Sequence, residues 1–356
     1  MQWEKNILGL VSQDEWLRVG LDVTRPNDPI DGLFGDEKTN NLFAKWQSLA
    51  SEYQIPTMAQ FHGFDTEAQK TIRIPVDNHN IEKGLIKVKL NLSERLRALL
   101  NSGVRESELY DYVLDDGARL AEQVETRTKV AKNELLAYGK ITIKENNLDL
   151  TVDYGVPDDQ TAYELDLSTT SDLPGQIQEI IDDALAKGIT LTGIVTSRKN
   201  VSKMRQNDLM QTFVNGTAGS GAVIRMDAFK AFLESEYGIT QLITNDLTYN
   251  ASLEIGSDGR PVSTIKRYFP DDKVTFFGVN NAGKLGVGLW GNPPEADPQV
   301  LEKAAASNLN PYIFIDQWEE KDPRVLWTKA SGLFMPVLYN PNSLFIATVE
   351  DEEVGG

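Results

Sequence analysis

The spacing of hydrophobic residues predicts one long helix near the middle of the chain. Between residues 105 and 138, apolar or small residues recur at spacings of three and four. These residues are Leu109, Val113, Gly117, Leu120, Val124, Thr128, Ala131 and Leu135. We predict that Ser107 is the N-cap and that Gly139 lies just past the C-terminus.

The other faces of this predicted helix are charged. They carry Asp111, Asp115, Asp116, Arg119, Glu122, Glu125, Arg127, Lys129, Lys132 and Glu134. Because the apolar stripe is narrow, we expect the helix to lie on a surface and not in a core. A coiled coil is the alternative, but Gly117, Thr128 and Ala131 would form a weak seam.

Alternating patterns predict a hairpin on each side of the helix. In residues 69–92, two alternating segments flank the polar sequence DNHNIEKG. Pro75 cannot donate to a ladder, which favours an edge strand. After the helix, residues 141–152 alternate around Asn146-Asn147, which suits a turn. An isolated hairpin is marginally stable, so the first one needs support, for which a neighbouring subunit is one candidate.

The rest of the chain divides into an irregular beginning and a mixed second half. Residues 1–60 are rich in turn formers, and we expect an extended arm in TRPNDPIDGLFGDEKTN and a short helix in NNLFAKWQSLASEY. GVPDD at residues 155–159 is a candidate boundary. Beyond it we predict helices in PGQIQEIIDDALAKG and RMDAFKAFLESEYG, and strands in ITLTGIVTS, ITQLITND, KVTFFGV, 324–338 and 343–349.

Composition narrows the classes of function. The chain has 356 residues, which is enough for two domains, and a formal net charge of −18. That charge disfavours nucleic-acid binding through a broad basic face. The absence of cysteine excludes disulfides and thiolate sites. No apolar segment is long enough to suggest a membrane span, and the first residues do not resemble a signal peptide.

Charge is unevenly distributed along the chain. Residues 61–100 contain seven Lys or Arg against five Asp or Glu, although the whole chain is strongly acidic. A locally basic segment of this kind could contact another copy of the same acidic protein. Chance variation across a surface explains it equally well.

Candidate chemistry is sparse. NGTAGSGAV at 215–223 lacks the Gly-Lys-Ser/Thr ending of a phosphate-binding loop and favours a flexible loop. NAGKLGVGLWG at 281–291 reverses the dinucleotide-binding spacing and is followed by two prolines, which favours a loop or strand. The two histidines lack metal-ligand spacing, and adjacent acids rarely share one site. These patterns favour a protein that acts through contacts, with no cofactor and no metal.

Four segments resemble the major capsid (head) proteins of tailed phages, in the family of the lambda head protein. The segments are FDTEAQKTIRIP (64–75), IEKGLIKVKLNLSERLRALL (81–100), YVLDDGARLAEQVETRTKVAKNELLAYGKITIKENNLDLTVDYGVP (112–157) and ASGLFMPVLYNPNSLFIATV (330–349). The resemblance implies an α+β protein with the Hong Kong 97-like capsid fold. It also implies five parts: an N-arm at 1–57, an extended β-hairpin loop at 58–100, a peripheral domain at 101–157 and 311–350, an axial domain at 158–310 and an acidic tail at 351–356.

The resemblance also implies a function and partners. It predicts a non-enzymatic virion subunit that forms hexamers and pentamers of an icosahedral head around double-stranded DNA, without sequence-specific DNA binding or membrane contact. Assembly in the host cytoplasm would involve a separate scaffolding protein and a portal, and a head decoration protein is left open. The extended loop would supply the contacts between subunits: Arg73, Asp77, Asn78, His79, Asn80, Lys83, Lys87 and Lys89.

This interpretation makes one early prediction and leaves alternatives. Reversing Lys83, Lys87 and Lys89 to Glu should lower shell yield without unfolding the protein. A cross-link from Lys83 or Lys87 to Asn340 or Asn342 is the other use of these lysines, but solvated charges are favoured. The alternatives to a phage head are an encapsulin-like compartment, a carbohydrate- or protein-binding module, and a glycosidase that uses distant carboxylates.

Overall fold

The computed structural model describes residues 11–12, 15–16, 18–19, 28–49, 58, 76–92, 106–145, 148–216, 223–255, 261–296, 312–322 and 324–350. The helices with complete bounds are α1 (Glu106–Tyr138), α2 (Leu173–Ala186), α3 (Arg198–Gln206), α4 (Asp208–Asn215) and α5 (Met226–Tyr237). The strands are β1 (Phe34–Lys38), β2 (Phe43–Leu49), β3 (Val76–Glu82), β4 (Gly84–Leu92), β5 (Lys140–Glu145), β6 (Leu148–Asp153), β7 (Tyr163–Asp166), β8 (Gly193–Thr196), β9 (Gln241–Thr244), β10 (Thr248–Ile255), β11 (Pro261–Arg267), β12 (Lys273–Phe277), β13 (Gly286–Gly291), β14 (Phe314–Lys321), β15 (Arg324–Leu338) and β16 (Leu344–Glu350).

The first sheet is built around β15. One edge of β15 pairs antiparallel with β4, from Leu326↔Leu92 to Phe334↔Gly84. The other edge pairs antiparallel with β14 and, further along, with β13. β1 continues the sheet beyond β13 as a parallel strand. The sheet therefore joins an early segment, β1, to strands from the last quarter of the chain.

Helix α1 packs against this first sheet. At Gly332 of β15, an added Cβ atom would lie 3.0 Å from Cγ1 of Val124. The helix and the sheet share one hydrophobic core, whose buried members include Leu120, Val124, Leu135, Leu136, Ala330, Phe334 and Met335. Burial of this face, and not helix propensity, supplies most of the stability of such a helix.

The predicted helix over 105–138 is confirmed. It begins at Glu106, so Ser107 lies inside it and the predicted N-cap is wrong. Its C-terminus agrees with the prediction: Gly139 has a φ of +66°, and its N–H donates to the carbonyl oxygen of Leu135 at 2.9 Å. Glycine suits this position because a side chain rarely adopts the left-handed region.

The expectation that α1 lies on a surface is wrong for its second half. Glu125, Lys129 and Lys132 are buried, although their charge suggested a solvated face. Nζ of Lys129 lies 3.4 Å from Oε1 of Glu125, and Nζ of Lys132 lies 3.1 Å from Oδ1 of Asp36. Each buried charge thus has an opposite partner, which is the condition under which charges are found in protein interiors.

The second sheet has the strand order β7-β16-β12-β8-β9. Its core is shared with α2, whose buried residues include Ile177, Ile180 and Ala184. The side chain of Asp172 accepts from the backbone N–H of Gly175 at the start of α2. The helices and strands predicted for this half, including 324–338 and the strand that follows it, are confirmed with small shifts of their bounds.

The sheets do not divide the chain as the predicted domains do. β13 lies within residues 158–310 but pairs with β15 in the first sheet. β16 lies within residues 311–350 but pairs with β12 and β7 in the second. Leu289 of β13 is in the first core and Phe345 of β16 in the second. Because both strands are mostly apolar and mostly buried, their sequence does not reveal which core they enter.

Three two-stranded ribbons complete the described part of the fold. β5 pairs with β6 from Lys140↔Asp153 to Glu145↔Leu148, which confirms the second predicted hairpin. Its turn residues, Asn146 and Asn147, lie outside the described residues. β10 pairs with β11, a hairpin that we did not predict. β2 pairs with β3.

The first predicted hairpin, over residues 69–92, is wrong in its pairing. β3 and β4 do not pair with each other, because β3 pairs with β2 and β4 pairs with β15. The polar segment that we predicted as their loop forms most of β3. Both partners are distant in sequence, and local alternation carries no information about distant pairing.

The predicted short helix over residues 40–53 is also wrong, since residues 43–49 form β2. Ala44 and Trp46 are buried, whereas Phe43 and Lys45 between them are exposed. That is the period of two of a strand with one buried face. The spacing of Leu42, Trp46 and Leu49 that suggested a helix arose by coincidence.

Candidate functional site: the arm ribbon and its base

The pair β2 and β3, here called the arm ribbon, runs antiparallel from Phe43↔Glu82 to Leu49↔Val76. Within the described residues no third strand pairs with it. Its outer face exposes Phe43, Lys45, Asn80 and Glu82. The ribbon leads towards residues 50–75, of which only residue 58 is described. The arm ribbon is therefore the described part of the segment 43–82.

The inner face of the arm ribbon packs on aromatic side chains of the body. The rings of Trp46 and His79, opposite each other in the ribbon, stack with centroids 5.0 Å apart. Trp46 also stacks on Tyr154, at 5.5 Å. The hydroxyl of Tyr154 donates to the carbonyl oxygen of Pro336 in β15 at 2.6 Å. The ribbon is thus anchored where the β5–β6 hairpin meets the first sheet.

Lys83 is the single residue between β3 and β4, and it is 3% exposed. Its Nζ donates to Oγ1 of Thr39 at 2.6 Å, to the carbonyl oxygen of Asn41 at 2.7 Å and to that of Trp290 at 3.1 Å. Its backbone N–H donates to the carbonyl oxygen of Leu42 at 3.0 Å. Burial lowers the pKa of the Lys83 amino group. The interpretation of Lys83 as a solvated lysine is wrong.

Lys87 forms an ion pair within the chain. Its Nζ lies 3.0 Å from Oε1 of Glu295, and Nζ of Lys329 lies 3.1 Å from the same oxygen. Burial raises the pKa of Glu295, but the hydrogen bonds from Lys87 and Lys329 outweigh it and lower the pKa to about 2. Lys87 remains partly exposed beyond this contact.

Lys89 lies over an aromatic side chain of the first sheet. Its Nζ is 4.0 Å from the ring centroid of Trp327, which itself stacks on Trp318. A lysine in this position is attracted by the negative face of the ring. Lys89 is exposed, so this contact leaves much of its side chain accessible.

The predicted contact residues therefore fall into three groups. Arg73 lies outside the described residues, and Asp77 and Asn78 are described only by their backbone in β3. His79 and Asn80 lie on opposite faces of the arm ribbon, His79 inward and Asn80 outward. Lys83, Lys87 and Lys89 belong to the first sheet and its junction. The triple reversal of these lysines would place a carboxylate against carbonyl oxygens at position 83, so it no longer separates assembly from folding.

Sequence analysis missed other exposed apolar residues. Leu148 and Leu150 of β6 are 52% and 41% exposed, and Val262 and Ile265 of β11 are 54% and 68% exposed. Both strands belong to two-stranded hairpins. For β6 no signal was available in the sequence, because Leu148, Leu150 and Val152 alternate as in a strand with one buried face, yet only Val152 is buried.

The glycine clusters serve structure where they are described. Residues 286–291 form β13, and at Gly286 an added Cβ atom would lie 2.2 Å from the carbonyl oxygen of Val337. Gly216 ends α4 with a φ of +71°, and residues 217–222 lie outside the described part. Among the residues that the structure describes, no group of three potential ligands could hold a metal. No described helix has the length and apolar character needed to cross a membrane.

Comparison with known families gives a direct match. The family described as phage major capsid protein E matches residues 63–349. The match includes β3, β4 and every later strand except the last residue of β16. No curated protein matches the chain.

Solved structures share the fold. A prophage protein from E. coli CFT073 described as a capsid protein is 15% identical, has a TM-score of 0.56, and is matched over 95% of this chain and 97% of its own. A phage-related protein from Bordetella bronchiseptica RB50 is 11% identical, with a TM-score of 0.50 and coverage of 93% and 95%. An encapsulin complex from Synechococcus elongatus PCC 7942 is 8% identical, with coverage of 89% and 85%, and its TM-score of 0.45 carries no argument.

The predicted Hong Kong 97-like capsid fold is therefore confirmed, and the family match favours the phage interpretation over the encapsulin one. The mixed architecture, with a long helix against the first sheet and a separate second sheet, agrees with that fold. The chain belongs to the phage major capsid protein E family.

Proposed function

We propose that this major capsid protein is the repeating subunit of an icosahedral phage head, in which hexamers and pentamers enclose double-stranded DNA. The family match over residues 63–349 is the observation that supports it. Identical subunits that meet through two different surfaces close into rings when the rotation between them closes. Many modest contacts then add through multivalency, so that each can stay weak and reversible during assembly.

In this proposal the arm ribbon is the base of the extended loop that lies over a neighbouring subunit. The extended loop was predicted at residues 58–100, and we now assign it to residues 43–82, because β4 pairs with β15 and β3 pairs with β2. Of the predicted contact residues, Arg73, Asp77, Asn78, His79 and Asn80 stay in the loop. A two-stranded ribbon is marginally stable alone, so contact with a second copy would stabilise it.

We assign the remaining parts by sheet. The first sheet with α1 and the β5–β6 hairpin is the peripheral domain, and the second sheet with α2 to α5 is the axial domain. This assignment moves β13 from the axial to the peripheral domain, and β16 from the peripheral to the axial domain. We assign residues 1–33, which precede β1, to the N-arm.

The partners follow from this function. A separate scaffolding protein during assembly, a portal and the packaged DNA are expected, and assembly takes place in the host cytoplasm. The net charge of −18 supports an enclosure that does not bind its DNA tightly, since phosphate affinity depends on Lys and Arg. The role is structural, without catalysis.

Electron microscopy of the purified protein tests the proposal. The protein is imaged alone and after co-expression with the products of the adjacent genes. Closed shells, or rings of five and six, are expected in at least one preparation, and shells only with co-expression would identify a scaffold. A uniform monomer in both preparations at high concentration would overturn the proposal.

A further inference from the structure

The direction of the arm ribbon depends on a junction of one residue. Before Lys83, β3 pairs with β2, and directly after it β4 pairs with β15. Because β3 and β4 pair with different strands, no single ladder of sheet hydrogen bonds continues from one to the other through Lys83. Other contacts must therefore fix the angle between the ribbon and the first sheet.

The side chain of Lys83 supplies such contacts. Its three short hydrogen bonds reach Thr39 and Asn41, in the link from β1 to β2, and Trp290, in β13. The link from β1 is itself held to β13, since the N–H of Thr39 donates to the carbonyl oxygen of Trp290 at 2.8 Å. One ammonium group thus joins both strands of the ribbon, at their shared end, to the first sheet.

The surroundings of Lys83 restrict both the direction of its hydrogen bonds and the space open to its side chain. All the oxygens that its Nζ contacts are neutral, so direction matters more than charge attraction. Gly291 leaves room for the lysine stem: an added Cβ atom there would lie 3.3 Å from Cδ of Lys83 and 2.6 Å from Cδ2 of Leu333. If the buried ammonium moved, its own N–H groups and the oxygen atoms that accept from them would both lose their hydrogen-bond partners. Such a loss is costly in the interior of a protein.

We propose that Lys83 is a positioning residue that, together with the stacking of Trp46 on Tyr154, fixes the direction of the arm ribbon. Removing the ammonium then lets the ribbon pivot about that stacking contact. The consequence for assembly rests on the proposed function. A ribbon of variable direction would present its loop to a neighbouring copy in the correct geometry for only a fraction of the time. The apparent affinity between subunits would then fall in proportion to that fraction.

The test uses a distance within the free, full-length subunit. Since the chain has no cysteine, Lys45→Cys on the ribbon and Ala118→Cys on α1 accept spin labels at these positions only. Both native residues are exposed. Pulsed electron-spin measurements compare the labelled protein with its Lys83→Met form, and with Lys89→Met, a substitution of an exposed lysine in β4, as the matched control. Hydrogen exchange of β2 and β3 amides is measured beside that of β15.

We expect Lys83→Met to broaden the distance distribution and to accelerate exchange in β2 and β3 more than in β15, with the control unchanged. An unchanged distribution would overturn the inference, as would a uniform loss of protection throughout the first sheet. If Lys83→Met does not fold, Thr39→Val removes one acceptor and should broaden the distribution to a smaller extent. An unchanged distribution in that variant would equally overturn it.

Assembly is measured separately, so that the two proposals can fail independently. If the unsubstituted protein forms shells, Lys83→Met should lower shell yield and Lys89→Met should lower it less. If no preparation forms shells, the proposed function fails, and the distance measurement on the free subunit still decides the role of Lys83.

Discussion

Glu295 joins two lysines that belong to different strands. Its Oε1 atom accepts from Lys87 of β4 and from Lys329 of β15, across the pair of strands that carries the first sheet. Because its pKa is lowered from the ordinary 4.5 to about 2, the carboxylate contributes stability at a pH above 4.5. That contribution is lost as the pH falls from about 4.5 through about 2.

Replacing this carboxylate by an amide should therefore lower the free energy of unfolding by an amount that depends on pH. We expect Glu295→Gln to lower the free energy of unfolding at neutral pH and to differ less from the unsubstituted protein as the pH falls through that window. Urea unfolding at a series of pH values measures this difference. Glu122→Gln, at an exposed position of α1, is the control for the loss of one carboxylate charge. A constant difference for Glu295→Gln would contradict the proposed role of this carboxylate.

At the scale of elements, α1 and β15 pack closely at a glycine. A Cβ atom at Gly332 would lie 3.0 Å from Cγ1 of Val124 and 3.1 Å from Cζ3 of Trp290. Gly332→Ala must therefore displace the helix or the tryptophan, and we expect it to cost about 1–3 kcal/mol, as overpacking of a core usually does. Chemical denaturation measures the cost.

Gly35→Ala in β1 is the matched substitution for this test. An added Cβ atom at Gly35 meets nothing within 4 Å. It should leave stability unchanged or raise it by about 0.4–1 kcal/mol, because alanine restricts the unfolded chain. Equal effects at the two glycines would mean that α1 does not pack on β15 as described.

In the β5–β6 hairpin, contact with another subunit can be tested apart from the stability of the free subunit. Leu148 and Leu150 are largely exposed, so we expect Leu148→Ser with Leu150→Ser to change unfolding by only about 0.5 kcal/mol. If the hairpin meets a neighbouring copy, the same change lowers shell yield counted by electron microscopy. Val152→Ser, at a buried position of the same strand, should instead destabilise the free subunit. Full shell yield from the double variant would show that the hairpin faces solvent in the head.

Elements that form through local patterns were predictable, and those that form through distant pairing were not. The extent of α1 follows from its period and its C-terminal end from Gly139, whereas its N-cap was predicted wrongly. The β5–β6 hairpin follows from two adjacent alternating segments. β2 and β3 are separated by residues 50–75, so nothing local indicated that they pair. For the candidate site, resemblance implied that His79 and Asn80 contact a neighbouring subunit, and that role stays a prediction. The burial of Lys83 depends on Thr39 and Trp290, which are distant from it in sequence. Both are uncharged, so neither indicated in the sequence that a lysine would be buried against it.

At the scale of the whole molecule, an early segment connects the helix and both sheets. Oδ2 of Asp28 accepts from Asn133 of α1 at 3.0 Å, and Oδ1 accepts from Asn245, just after β9, also at 3.0 Å. Asn245 also donates to Oδ1 of Asn133 at 2.9 Å. All three side chains are buried, and burial raises the pKa of Asp28. The cluster Asp28–Asn133–Asn245 therefore couples the two sheets through hydrogen bonds.

Removing one amide from this cluster should weaken the coupling. We expect Asn245→Ala to lower the free energy of unfolding by about 1–3 kcal/mol, because it removes the amide that donates to the buried Oδ1 of Asn133. It also removes one of the two donors to Oδ1 of Asp28, which keeps the N–H of Ile30. Hydrogen exchange should accelerate in residues 28–38 more than in β12, which is measured on the same sample. Asn250→Ala, at an exposed position in β10, is the control and should stay within about 0.5 kcal/mol of the unsubstituted protein. Equal acceleration in both regions would mean that the cluster adds stability without coupling the sheets.

The crossing of β16 into the second sheet has a consequence for synthesis on the ribosome. β16 lies between β7 and β12, so the sheet lacks an interior strand until residues 344–350 have emerged. Until then β7 and β12 each present an unpaired edge, and a nascent subunit is exposed to pairing with other chains. We expect the axial core to close only after β16 has been translated, when every other strand of both sheets is already made. We therefore expect the order of synthesis to delay the appearance of a completely folded subunit.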